Sequence, residues 1–158
     1  MAAYRIVEDD LAGKDVAALL RFHLDEAHRW SPPGCVHALP IEQLRQPDVI
    51  FYSAWDGDRL AAVGALRLLG EGQHGLRGEL KSMRAHPDYR GKGAGRAMLL
   101  HLIAAARDRG CTWLGLETGL PEAFAPARQL YRSHGFTPCT PFDGYADDGF
   151  SMCMDLRL

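Results

Sequence analysis

The sequence predicts a mixed α/β fold, an α+β mixed sheet with helices packed on it. Two β-rich runs flank residues 56–58, and the Asp-Gly pair there favours the tight turn of an antiparallel hairpin. A long amphipathic helix comes after these strands, and a strand, a short helix and two more strands follow it. The 158 residues suffice for one core but not comfortably for two, so residues 1–158 are predicted to form a single domain.

The first half of the chain predicts one strand, two helices and a three-stranded meander. Apolar residues recur at helical spacing from Val16 to Leu24, and two prolines in Ser31–Gly34 end that helix. The glycine-rich segment Gly70–Gly75 predicts the turn before the last strand of the meander. The predicted bounds are Tyr4–Glu8 for the first strand, Lys14–His28 and Pro40–Arg45 for the helices, and Val49–Trp55, Arg59–Leu69 and Arg77–Ala85 for the meander.

The second half predicts two helices, with a strand between them and two strands closing the chain. The apolar stripe of the longer helix starts at Ala94 and Met98, and Gly110 suits its end. Pro126 fits the first turn of the shorter helix, and Gly135 lies just past its end. The predicted bounds are Gly93–Arg109 and Ala127–His134 for the helices, and Thr112–Thr118, Phe136–Cys139 and Phe150–Leu156 for the strands.

Composition excludes several classes of protein. The formal net charge of −2 lacks the positive field of a non-specific nucleic-acid binder, so no nucleic-acid partner is predicted. The longest nearly apolar stretch, Ala97–Ala106, is far too short for a membrane span. The N-terminal sequence lacks a secretory signal, so a cytoplasmic location is expected. No metal site is predicted, because four cysteines lack ligand spacing and favour free thiols: Cys35, Cys111, Cys139 and Cys153.

A basic, glycine-rich segment, Arg90–Arg96, lies between a predicted strand ending near Ala85 and a helix beginning near Gly93. Its glycines let successive amides face one point, the helix N-terminus adds partial positive charge, and three basic side chains add full charges. A flexible, solvated turn is the alternative interpretation. Neither the Walker A pattern nor the dinucleotide-binding fingerprint fits these residues. The segment therefore predicts a cradle for a pyrophosphate.

Two motifs carry a resemblance to a known family. The run Gly78–Met98 resembles the central motif of the GNAT superfamily of acyl-CoA N-acyltransferases, with Arg-Gly-Lys-Gly-Ala-Gly at Arg90–Gly95. The run Ala127–Phe136 resembles the family pattern Ala-x-x-Leu-Tyr-x-x-x-Gly-Phe. Their order, with a strand between them, makes the resemblance specific. It implies a GNAT-like fold, whose central, mostly antiparallel sheet has six to seven strands flanked by about four helices.

The resemblance implies acetyl-CoA as cosubstrate, with no metal. Its pyrophosphate is expected on the amides of Gly91–Arg96. Its pantetheine arm is expected beside the end of the predicted strand Arg77–Ala85, which is called the donor strand below. Many relatives carry an Asn after the strand that here ends at Gly119, and Thr118 or Glu122 would have to replace it. The cofactor-binding residues expected on this basis are Met83, Arg84, Ala85, Arg90, Gly91, Lys92, Gly93, Ala94, Gly95, Arg96 and Thr118.

Two residues match positions where relatives carry catalytic groups. Glu79 lies on the donor strand and could take the amine's proton directly or through water; a structural ion pair with Lys81 or Arg77 is equally consistent with the sequence. Tyr131 matches a tyrosine that faces the thioester sulfur, where its phenol could serve as the acid for the departing thiolate. Packing as a half-buried helix tyrosine is the alternative for Tyr131.

The acceptor is less well defined by the sequence. The segment Ser133–Leu156 has no Lys or Arg but several aspartates, which would favour a cationic amine if the loop Pro141–Gly149 borders the site; an ordinary acidic loop is the alternative. Four residues after the first helix are further candidates for acceptor contacts: Trp30, Ser31, His37 and Leu39.

The leading hypothesis is direct acetyl transfer, in a ternary complex, to an amine of a small molecule. The resemblance extends to a bacterial small-molecule acetyltransferase branch, through the segment Leu116–Gly119 and the later Leu-Tyr and Gly-Phe pairs. The alternatives are a catalytically silent coenzyme-A-binding regulatory module and an acetyltransferase of peptide or protein amines. A homodimer is compatible with the family but is not specified by the sequence.

Overall fold

A computed structural model of the protein describes residues 3–32 and 40–158. Within them lie seven strands and four α-helices, so the mixed α/β fold class and the predicted numbers of elements are confirmed. The strands are β1 Arg5–Glu8, β2 Val49–Asp56, β3 Arg59–Gly72, β4 Gly75–Ala85, β5 Cys111–Gly119, β6 Thr137–Cys139 and β7 Ser151–Arg157. The helices are α1 Lys14–Trp30, α2 Ile41–Leu44, α3 Ala94–Asp108 and α4 Ala125–Ser133, with short 3-10 turns at Pro87–Tyr89 and Glu122–Phe124.

All seven strands form one sheet in the order β1-β2-β3-β4-β5-β7-β6. Every neighbouring pair is antiparallel except β4 and β5, which run parallel because α3 crosses over between them. The β4–β5 register covers only Leu76–Glu79 on β4, although β4 continues for six more residues. The two strands therefore separate in the middle of the sheet, on the C-terminal side of Glu79.

The two faces of the sheet carry different helices. On one face α3 and α4 bury a core built around Met98, Leu102 and Leu116. On the other face α1 and α2 bury a second cluster that includes Val16 and Leu44. None of the helices in residues 3–32 and 40–158 is long and apolar enough to cross a membrane.

Several element bounds differ from the sequence prediction. Helix α1 continues to Trp30, two residues past the predicted end, because only the prolines that follow are incompatible with a helix. Strand β3 runs through Gly70 to Gly72, where a turn was predicted, since the register shifts at Gly70 and the bulge absorbs that glycine's positive φ. Helix α4 begins two residues early, at Ala125, with Pro126 in its first turn.

Candidate active site

The separation of β4 from β5 opens a cavity of about 790 Å³. Its walls come from the end of β4, the glycine-rich segment and the start of α3, the end of β5, helix α4, and the inner side of α1. A cavity of this size lies in the range typical of small-molecule sites. The cavity passes from the α3 side of the sheet to the α1 side, so groups from both faces meet in it.

The N-terminus of α3 forms one end of the cavity. Gly91 and Gly93 have φ of +72° and +81°, in the left-handed region that glycine adopts without strain. A Cβ at either position would meet nothing within 4 Å, so the backbone conformation and not crowding calls for glycine. The first intrahelical bond of α3 runs from Ala97 N–H to the Gly93 carbonyl at 2.9 Å. The N–H groups of the first turn are therefore available to an anion.

A β-bulge shapes the strand that borders the cavity. Val63 pairs with Arg84 and Ala65 with Lys81, so Gly64 alone opposes both Ser82 and Met83. Ser82 has a φ of +55°, and its buried Oγ has no hydrogen-bond partner among the described residues. A buried hydroxyl without a partner is costly, so the bulge beside the cavity holds a polar group that the described residues do not satisfy.

Gly64 makes this bulge compatible with the helix behind it. A Cβ on Gly64 would lie 2.9 Å from both Leu102 Cδ1 and Met98 Cγ on α3, and 3.1 Å from Met83 Sδ. Contacts this short require the neighbours to shift, so only glycine lets α3 pack directly on the bulged strand.

Tyr131 lies on α4 with its side chain in the cavity wall, only 7% exposed. Burial raises the pKa of this phenol to about 12, even though Arg84 nearby opposes the shift. Its ring also packs edge-on against Phe136, with ring centroids 5.9 Å apart. Tyr131 therefore keeps its proton at neutral pH and is both a packing residue and a hydrogen-bond donor facing the cavity.

Glu79 is fully buried and does not line the cavity. Its Oε2 accepts a hydrogen bond from Tyr145 Oη at 2.6 Å and lies 3.6 Å from Lys81 Nζ, while Oε1 lies 3.7 Å from Arg67. Burial raises the pKa of Glu79 overall, although Lys81, the Tyr145 hydrogen bond and Arg67 each lower it. Of this group Lys81 does line the cavity, whereas Arg67 and Tyr145 do not.

His23, on α1, forms the opposite wall together with Arg84. Arg84 Nε donates to His23 Nδ1 at 2.9 Å, which assigns the ring proton to Nε2. Burial, with added repulsion from Arg84 and Lys81, lowers the pKa of His23 to about 3. Burial also lowers the pKa of Arg84. His23 is thus a neutral group that can donate from Nε2 but cannot serve as a base near neutral pH.

Replacing His23 with Gln is expected to reduce the loss in free energy of unfolding that accompanies a drop in pH from 7 to 5. In the native state His23 stays neutral down to about pH 3, whereas the unfolded side chain takes up a proton near its ordinary pKa of 6.5, so stability falls as pH drops through 6.5. Between pH 7 and pH 5 this loss is about 2 kcal/mol. Urea unfolding at both pH values measures it, and the change should be smaller in His23→Gln by that amount. An equal change in both proteins would contradict the assignment.

The structure brings most of the predicted site residues together. All the predicted cofactor-binding residues line the cavity except Lys92, and so does Tyr131 but not Glu79. Lys92 instead places its Nζ 5.6 Å from the Tyr89 ring centre, and its carbonyl accepts a hydrogen bond from Tyr4 Oη at 2.7 Å. Lys92 therefore fixes the outer side of the cradle.

Residues that sequence reasoning missed include His23, Ser82 and Tyr145. His23 had a usable signal, because it continues the apolar helical spacing from Val16 and Leu20 and so falls on the buried face of α1. Ser82 had none, since a bulge depends on the register with β3. The sequence suggested Lys81 or Arg77 as the ion-pair partner of Glu79, and the structure shows the pair with Lys81.

The acidic C-terminal loop has structural partners. Asp143 pairs with Arg67 at 3.2 Å, and Asp148 accepts from the backbone N–H of Phe150 at 2.9 Å. The acceptor-side candidates Trp30 and Ser31 line the cavity, as does Thr118, whereas Glu122 does not. The other two candidates, His37 and Leu39, lie outside the described residues.

In the part of the chain that the structure describes, no cluster of metal-ligating side chains is found and no cysteine lines the cavity. No group of three or more His, Cys, Asp or Glu side chains there could hold a metal ion. Within the same residues Cys111, Cys139 and Cys153 are free thiols. Cys35 belongs to the segment that the structure leaves undescribed.

Comparison with known proteins gives a consistent result. The model of the acetyltransferase (GNAT) family matches residues 16–136. Two curated bacterial relatives are similar over nearly their whole length. YsnE of Bacillus subtilis (strain 168), an uncharacterized N-acetyltransferase, is 45% identical over 150 residues, 95% of this chain and 97% of the relative. YedL of Escherichia coli (strain K12), also an uncharacterized N-acetyltransferase, is 42% identical over 155 residues, 98% of this chain and 95% of the relative.

A solved structure agrees with these sequence relatives. A Klebsiella pneumoniae protein assigned to the acyl-CoA N-acyltransferases superposes with a TM-score of 0.77 and 28% identity, covering 100% of this chain and 99% of that chain. The matched residues 16–136 contain both motifs on which the predicted resemblance depends, and the resemblance is confirmed.

Proposed function

Because the chain belongs to the GNAT family of acetyltransferases, we propose that it transfers the acetyl group of acetyl-CoA directly to an amine of a small molecule, in a ternary complex. The family uses acetyl-CoA and its members are N-acetyltransferases. One observation carries the proposal: a single cavity joins the anion cradle of α3, the bulge at Ser82 and the Tyr131 phenol.

The residues of the cavity fit acetyl-CoA. The free amides of the first turn of α3, with Arg90 and Arg96 beside them, would hold the pyrophosphate. The backbone of Met83–Ala85, on the β4 edge that β5 leaves free, would pair with the pantetheine arm. Ser82, in the bulge next to this edge, also lines the cavity. When bound, acetyl-CoA supplies an activated acetyl group and a thiolate leaving group.

The chain's own residues would supply the proton chemistry. Tyr131 holds a proton at Oη and can donate a hydrogen bond toward the position of the departing sulfur. The raised pKa of Glu79 suits a general base, and because its carboxylate does not line the cavity, in this proposal Glu79 takes the amine's proton through water. The bulge would turn backbone N–H groups toward the thioester oxygen, where developing negative charge needs donors.

The α1 side of the cavity has the chemistry of an amine-binding site. Glu26 and Glu117 both line it, beside the cations Lys81 and Arg84, and each carboxylate favours the cationic form in which an amine arrives. Trp30 and Phe150 line the same cavity and are each nearly half exposed, so they offer apolar surface to the rest of the acceptor. These residues support a small amine with an apolar portion as acceptor.

The proposal predicts acetyl-CoA-dependent thiol release that requires an amine. Initial rates measured across a panel of small primary amines, with the two substrates varied together, should give intersecting double-reciprocal lines. Parallel lines would indicate an acetylated enzyme and contradict direct transfer. Turnover only with peptide amines would favour the peptide acetyltransferase alternative, and tight CoA binding without turnover on any amine would favour a silent binding module.

A further inference from the structure

A second cavity lies on the same sheet, at the end opposite the proposed acetyl-CoA cavity between β4 and β5, which is called the cleft below. It has a volume of about 550 Å³ and shares no lining residue with the cleft. Its floor is a row of three residues, because Arg77 on β4 is in register with Trp113 on β5, and Trp113 with Arg157 on β7. Residues in register point to the same face of a sheet, so the side chains of Arg77, Trp113 and Arg157 leave that face side by side, in this order.

Neither arginine of this row is neutralised. No carboxylate among the described residues lies within ion-pair distance of Arg77 or Arg157, although both line the cavity. Arg77 Nε is buried and has no hydrogen-bond partner in the same described residues, while its Cζ lies 5.9 Å from the Trp113 ring centre. Asp155, two residues before Arg157, accepts a hydrogen bond from Trp113 Nε1 at 2.9 Å.

Two glycines shape the cavity around these groups. A Cβ on Gly72 would lie 2.6 Å from Arg77 Cδ and 2.8 Å from its Nε, so glycine is what lets the guanidinium lie there. A Cβ on Gly75 would lie 2.8 Å from Thr112 Oγ1, which holds the hairpin by donating to the His74 carbonyl at 2.8 Å. The position of Arg77 is therefore set by the sequence of the hairpin and is not that of a free surface side chain.

We propose that this cavity binds a small oxyanion, a carboxylate or a phosphate ester, between Arg77 and Arg157. A guanidinium forms paired hydrogen bonds with either group, and neither Arg77 nor Arg157 has a carboxylate partner among the described residues to compete with such a ligand. The formal charge of the lining residues is positive, because Arg77 and Arg157 are lining residues and no Asp or Glu is. The volume suits a small organic acid better than a bare ion.

The test follows the Trp113 indole N–H in 15N-labelled full-length protein during titrations with inorganic phosphate and, separately, with succinate. Binding at this cavity shifts that signal and the Gly75 amide, whereas binding at the α3 cradle shifts the Gly93 and Gly95 amides. Comparison of the two anions identifies the preferred chemistry. Because charge-assisted hydrogen bonds are lost, affinity should fall about tenfold or more in Arg77→Gln.

A variant with unchanged net charge distinguishes binding that depends on the position of Arg77 from non-specific electrostatic attraction of anions. Gly72→Ala leaves the net charge unchanged but displaces Arg77, so it should also weaken binding about tenfold, whereas Arg107→Gln, on the last turn of α3, should not. Thermal unfolding of each variant checks that the fold is retained. The proposal is overturned if neither anion shifts the Trp113 signal, or if Gly72→Ala and Arg107→Gln bind equally well.

Discussion

Replacing Tyr131 with phenylalanine is expected to lower kcat about 100-fold while leaving the KM for acetyl-CoA nearly unchanged. Burial raises the pKa of Tyr131 to about 12, well above the ordinary thiol value of about 8.5. Full proton transfer to a thiolate would therefore be uphill. The expected contribution of Tyr131 is a hydrogen bond donated to the sulfur as negative charge develops, which is lost with the hydroxyl.

The control for this prediction is Tyr52→Phe. Tyr52 is also a buried tyrosine, but it packs on His101, with ring centroids 4.6 Å apart, and does not line the cavity. Its hydroxyl can be removed with little expected effect on kcat. Steady-state rates and melting temperatures of both variants make the comparison. Equal activities of Tyr131→Phe and the wild-type enzyme would leave Tyr131 with its packing role against Phe136 alone.

Replacing Glu79 with alanine is expected to lower the free energy of unfolding by about 3 kcal/mol or more. Glu79 is fully buried, and removing it takes away a carboxylate that lies 3.6 Å from the nearly buried ammonium of Lys81 and that accepts a hydrogen bond from Tyr145 Oη. Glu79→Gln retains an acceptor oxygen for Tyr145, so it should unfold closer to the wild-type protein. Urea denaturation of both variants measures the difference.

The same pair of variants tests the proposed catalytic role of Glu79. If Glu79 takes the amine's proton, Glu79→Gln should lower kcat/KM about 100-fold despite its retained fold. The wild-type rate should also fall as pH drops through the raised pKa of Glu79, because only the ionised carboxylate is a base. A Glu79→Gln enzyme with full activity would show that the residue serves only to hold Lys81 and Tyr145.

The accuracy of the sequence predictions depends on how local each feature is. The cradle from Arg90 to Arg96 was predictable because glycine backbone preferences and a helix start act within a few residues. The burial of Glu79 was not, since Tyr145 reaches it across 66 positions of sequence. The bulge at Ser82 depends in the same way on strand register with β3. Periodicity could have located His23, but not its hydrogen bond with Arg84, 61 positions away.

The parting of β4 and β5 gives the sheet a further property. The cradle belongs to the α3 side, whereas His23 and Glu26 belong to the α1 side, and the opening between the strands connects the two. The sheet therefore separates the two sides of the molecule except at this opening between β4 and β5. In the proposed reaction the two substrates would enter from opposite sides of the sheet and meet at the opening between β4 and β5. In that arrangement each product would leave by the side of the sheet on which its substrate entered.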